Sequence, residues 1–119
     1  MPLPDLARPA RVEARLSLTK PIDASTATVL TCAANTTLRL RTMYVTNQTA
    51  SAQTFNINFV RSGVTYPLHS GVSIPAKNLF NATTIDDAVY LEPGDSLQFA
   101  QAATTANNLT LFVSYESIT

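Results

Sequence analysis

The chain holds one histidine, His69, and one cysteine, Cys32. A nucleophile and its base would have to use both, or set one of the serines beside His69 with Asp86 or Asp87. No nucleophile-elbow pattern surrounds any of them, and His69, at the end of a hairpin arm, reads as a surface or packing residue. Asp86-Asp87 with Glu92 and Asp95 offers the clustered carboxylate oxygens that a hard cation or a glycoside hydrolase needs. The same positions suit Asp for turn bonding, because Asp86-Asp87 precedes a strand and Asp95 follows Pro93-Gly94. Arg39 and Arg41 share a strand face and are able to grip a phosphate. Without interleaved aromatics they fit better as partners for acids on a neighbouring strand or subunit. Tyr44, Tyr66 and Tyr90 suit a sugar-stacking platform, yet no Trp accompanies them and each also suits a strand. No catalytic, cofactor-binding or metal-binding set emerges, and the chain reads as non-enzymatic.

Composition narrows the partners. Eight basic and eight acidic residues cancel, and only 13% of the chain is charged, so no field collects nucleic acid or anionic membrane. A polar but weakly charged surface suits a subunit packed against copies of itself or against another lattice protein. Cys32 excludes an intrachain disulfide, and the apolar stretch Val29 to Ala34 suits a buried thiol. The N-terminal run MPLPDLARPARVEAR lacks the apolar stretch of a signal peptide, and no segment approaches the roughly 20 apolar residues of a membrane helix. The expectation is a soluble protein made in a cytosol. The Asn-x-Thr sequons at Asn35, Asn47, Asn81 and Asn108 then follow from Asn and Thr in turns.

The elements that would position these residues are strands. Residues 1 to 11, with Pro2, Pro4 and Pro9, read as an extended, polyproline-like arm. Residues 12 to 119 read as one β-sandwich domain, and from residue 12 the period becomes 2. Val12, Ala14, Leu16 and Leu18 alternate with polar residues, which predicts a strand with that apolar face in the core. Thr26 to Cys32 forms a second run, and Asn35-Thr36-Thr37 turns the chain. In Thr37 to Thr46, Leu38 and Leu40 fall on one face but Met43 and Val45 on the other, so a bulge near Arg41-Thr42 or a two-sided contact is required. Thr54 to Arg61 places Phe55, Ile57 and Phe59 inward. Arg61-Ser62-Gly63 makes a hairpin to Val64, Tyr66 and Leu68, with Pro67 confined to an edge. Residues 70 to 87 predict one short strand and a loop. Ala88–Leu91 and Ser96–Gln101 form the next strand pair across the Pro93-Gly94 turn, and Leu109, Leu111 and Val113 close the core from a central strand. Short strands with turn signals every 8 to 12 residues, and no helical period, predict an all-β antiparallel β-sandwich or jelly roll.

The succession Thr28 to Thr37, then LRLRTMYVTN at 38–47, Ala50 to Phe59, and LEPGDSL at 91–97 resembles a group of small virion proteins of tailed bacteriophages. Cys32-Ala33-Ala34 departs from the proline that the group carries before its turn. The resemblance implies a structural virion protein, with capsid cement or decoration first and a tail, neck or fibre component second. A carbohydrate-binding module is the alternative from another class. Copies of itself, as a homotrimer at a lattice three-fold, and the major capsid protein or another virion protein are the expected partners. Leu3, Leu6, Arg8 and Arg11 of the arm, with Arg39 and Arg41, are the candidate contact residues.

Overall fold

The computed structural model describes residues 11–20, 25–82, 89–102 and 109–119. Their alternating and β-branched runs form nine strands: β1 (Val12–Thr19), β2 (Ala27–Thr31), β3 (Thr37–Asn47), β4 (Gln53–Arg61), β5 (Val64–Ile74), β6 (Asn78–Asn81), β7 (Val89–Leu91), β8 (Ser96–Gln101) and β9 (Leu109–Ile118). They make two antiparallel sheets. The first has the order β1-β9-β3-β6, with β7 also pairing β3; the second has the order β2-β8-β4-β5. The chain crosses repeatedly between the layers, so the sandwich has jelly-roll order. Among the described residues, β4 and β5 are the only sequence-adjacent strands that pair.

Turn chemistry explains the reversals. Ser62 (φ 51) and Gly63 (φ 76) both take the left-handed region, as a two-residue hairpin loop requires. Gly94 (φ 91) follows Pro93, and the Asp95 amide donates to the Glu92 carbonyl at 2.9 Å, closing the turn. Contrary to expectation, the strands on either side do not pair with each other: β7 lies on β3 in the first sheet and β8 between β2 and β4 in the second, so this turn carries the chain between the layers. Pro67 sits on β5, an edge strand of the second sheet. The expected bulge is present, with the β3–β9 register shifting between Leu40 and Thr42. One extra residue, Arg41, therefore brings Leu38, Leu40, Met43 and Val45 all into the core.

The core is closed by Phe55, Ile57, Leu97 and Phe99 of the second sheet against Val45, Leu109, Leu111 and Val113 of the first. Each such side chain contributes about 1.5–3 kcal/mol on burial. Phe55 is its aromatic hub, with ring centroids 5.6 Å from Phe80 and 5.9 Å from Phe99. Phe59, expected inside, is only partly buried. It lies near the turn end of the hairpin, edge-on to Tyr66 and beneath the Arg61 guanidinium. Asn47, the sequon residue, is buried. Its Nδ2 lies within hydrogen-bonding distance of the carbonyls of Ser51, Ile74 and Pro75, and its Oδ1 accepts from the Thr49 amide. This side chain ties the β3–β4 loop to the end of β5.

Strand β1 corrects one expectation. Its alternation is as predicted, but its facing is reversed. Leu16 and Leu18 are each 61% exposed, while Glu13, Ser17 and Thr19 are the shielded positions. The pairing accounts for this: Leu16 opposes Ser114 and Leu18 opposes Phe112, and these alternate with the buried Leu111 and Val113. Partners directly across a sheet share a face, so Leu16 and Leu18 lie on the outer side of the first sheet.

Candidate docking face

The outer side of the first sheet can be built row by row from the register. Leu18, Phe112 and Tyr44 stand abreast on β1, β9 and β3, and Leu16, Ser114 and Thr42 form the next row. Thr46 opposes Leu79 of β6, and Leu79 is 51% exposed. Leu16, Tyr44, Leu79 and Phe112 line a shallow groove of about 330 Å³. Outer faces of antiparallel sandwiches are normally polar, and a contiguous exposed apolar surface marks a contact site. Beside it, sharing Thr42 and Ser114, a second depression of about 410 Å³ is lined by Ala14, Arg15, Arg41 and Glu116.

The arginines singled out from sequence lie at this second end. Arg41 Nη1 donates to Glu116 Oε1 at 2.9 Å, and Arg39 Nη1 lies 3.7 Å from the same oxygen. They pair with an acid of the neighbouring strand, one of the two alternatives the sequence left open. Arg11 and Arg15 likewise share Glu13. Their guanidinium contacts hold the Glu13 carboxyl below its ordinary range, the Arg15 hydrogen bond being the largest cause. The Arg11 amide donates to the Thr119 carbonyl at 3.0 Å, and the Thr119 amide donates back to Arg11 at 2.8 Å. The sheet ladder therefore extends back to Arg11. Leu3, Leu6 and Arg8 lie outside the described residues, as do Asp86 and Asp87.

The remaining candidates fall into separate places. His69 Nε2 is 3.1 Å from the Ala82 carbonyl, and its ring packs against Phe55 and Phe80. The Cys32 thiol donates to the carbonyls of Thr36 and Leu91 at 3.1 and 3.2 Å. Each side chain is thus occupied by a backbone carbonyl, and nothing aligns the two. Tyr44 and Tyr90 pair within the first sheet, whereas Tyr66 belongs to the second; the three do not form one platform. Among the described residues no three His, Cys, Asp or Glu gather as for a metal. Nor, among the described residues, is any helix long and apolar enough to cross a membrane.

Asp95 has a partner that the sequence reading missed. Its carboxylate takes a two-pronged contact from Arg61, Nε to Oδ1 at 2.9 Å and Nη2 to Oδ2 at 2.6 Å, and accepts the Glu92 amide at 2.8 Å. Glu92 lies 3.6 Å from the same guanidinium, so the two acids flank a cation. Burial pushes the Asp95 carboxyl up, but the Arg61 and Glu92 hydrogen bonds outweigh it and leave its pKa below the ordinary value. Beside it, burial pushes the Cys32 thiol up. Thiolate is the reactive form, so Cys32 should resist a disulfide reagent at neutral pH in the folded protein and label fully in urea. Rapid labelling without denaturant would show that the β2 end opens.

The missed face left a trace in the sequence. Phe112 and Tyr44 sit on the opposite face of strands whose other face already carries Leu111 and Val45, and both strands pair with their neighbours throughout. Bulky residues on both faces of a half-buried strand signal a second contact. No protein-family model matches the chain, and no curated protein matches it.

Proposed function

We propose that this chain is a structural protein of a tailed-bacteriophage particle, acting as cement or decoration on the head shell. One observation supports the reading more than any other: the patch of Leu16, Leu18, Tyr44, Leu79 and Phe112 across the outside of a sheet. That face is apolar at its centre and carries Arg15, Arg41 and Glu116 at one end, an apolar middle with a charged edge that suits a protein contact. A subunit that works by binding a lattice needs such a face and needs no reactive centre. In this reading the partners are the major capsid protein and further copies of the chain, a homotrimer at a three-fold position being the expected closed form. Leu3, Leu6 and Arg8 of the arm supply reach to a neighbour.

Immunogold labelling and mass spectrometry of particles from the phage or prophage that encodes the chain test the proposal. The expected result is labelling over the head shell, at a copy number comparable with shell subunits. Labelling confined to the tail or neck would replace decoration by the tail reading. Absence from purified particles would overturn the virion role altogether.

A further inference from the structure

Among the described residues five strands edge the two sheets, and four of them are blunted against pairing with another chain. β5 carries Pro67, a left-handed Gly71 and two register shifts against β4. β2 is five residues long with a bulge between Thr28 and Leu30. β6 has four residues and β7 three. Such devices keep edges from recruiting strands. β1 has none of them. It runs eight residues, pairs β9 without a register shift, and contains no proline and no glycine. Val12, Leu16 and Leu18 on its outer side are all exposed.

We infer that β1 pairs with β1 of a second copy, antiparallel across a two-fold axis through Ala14, joining the two first sheets into one. The register follows from charge. With Ala14 opposite its own copy, Glu13 faces Arg15 of the other chain and Arg15 faces Glu13, while Val12 faces Leu16 twice on the outer side. A two-residue slip in one direction sets Arg15 against Arg15, and in the other Glu13 against Glu13. A one-residue slip places charged side chains opposite apolar ones and turns the faces against each other. Opposite charges and aliphatic pairs directly across a sheet stabilise it, and like charges destabilise it. The contact is isologous, so every favourable pair occurs twice. It also pairs the edge amides and carbonyls of β1 that no other described strand engages. The pairing is independent of the virion role, and a heterologous three-fold contact elsewhere on the subunit remains compatible with it.

The test is a cysteine placed on the axis. Residues directly opposite in an antiparallel pair have Cα atoms about 4.5–5.5 Å apart, within disulfide range. Mild oxidation of Ala14→Cys should give a disulfide-linked dimer on a non-reducing gel, while Ser17→Cys, whose partner position is Arg11, should stay monomeric. The buried Cys32 does not compete. Equilibrium sedimentation supplies a second readout. Glu13→Arg and Arg15→Glu should each weaken the dimer at least about tenfold, because each creates two like-charge pairs. The double exchange, Glu13→Arg with Arg15→Glu, should restore association, since it rebuilds both pairs in the same register. Circular dichroism confirms that every variant is folded. Failure of Ala14→Cys to cross-link, or a double exchange as weak as the singles, would overturn the pairing, and neither result bears on presence in particles.

Discussion

Replacing Phe55 by alanine is expected to cost about 3–5 kcal/mol, a large part of the 5–15 kcal/mol that holds a domain of this size. Phe55 is fully buried on the central strand pair of the second sheet, and its ring meets Phe80, Phe99 and His69 from three directions. Those neighbours belong to β6, β8 and β5, so the ring joins both layers. Strands locked in hydrogen-bonded ladders cannot move in to fill the space, and the loss combines transfer with cavity formation. Phe59→Ala supplies the internal control. Its ring is only partly buried and lies at the hairpin end, so the loss should be clearly smaller. Urea titrations of the two variants measure the difference. Equal losses would show that the aromatic hub does not hold the layers together.

The second large effect is expected at Asp95. Asp95→Asn keeps the shape of the side chain but removes the charge that faces Arg61, at a site where the carboxylate is 3% exposed. Hydrogen bonds to charged groups are worth about 1.5–3 kcal/mol, and a buried group left badly paired costs a similar amount. A loss of about 2–3 kcal/mol is expected. The effect carries a pH signature. The folded Asp95 carboxyl sits below its ordinary value of 3.8, so the unfolded chain binds this proton first. The stabilisation is therefore complete above the unfolded value and is lost as pH falls through the folded one. Wild-type stability should drop below about pH 4 by a component that Asp95→Asn lacks. Parallel acid profiles for the two proteins would rule out the Arg61–Asp95 contact as its source.

Local signals were legible in the sequence because they depend on a few neighbouring residues. The Pro93-Gly94 turn, the Ser62-Gly63 hairpin, the bulge at Arg41 and the buried Cys32 all follow from backbone or burial preferences of the residues themselves. What was not legible depends on which strand lies alongside which. The apolar face of β1 could be read, but its direction is set by pairing with β9, about a hundred residues away in sequence. Because Leu16 opposes Ser114, and Leu18 Phe112, the stripe that looked like core is surface. Arg61 and Asp95 met the same obstacle, since 34 residues separate them and only the β4–β8 pairing brings them together. Of the candidate contact residues, Arg39 and Arg41 do lie on the apolar-faced sheet, at its charged end.

The position of β9 governs when this protein can exist at all. It is the strand against which β1 and β3 both lie, yet it is synthesised after every other described strand. Until it leaves the ribosome, the first sheet has no middle, and only the β4–β5 hairpin can form from adjacent sequence. Folding dominated by such distant pairings is slow, and incomplete chains with open strand edges are prone to aggregate. The topology acts as a timing device: no partly made chain presents a finished first sheet, so the outer face of that sheet arises only in a completed molecule.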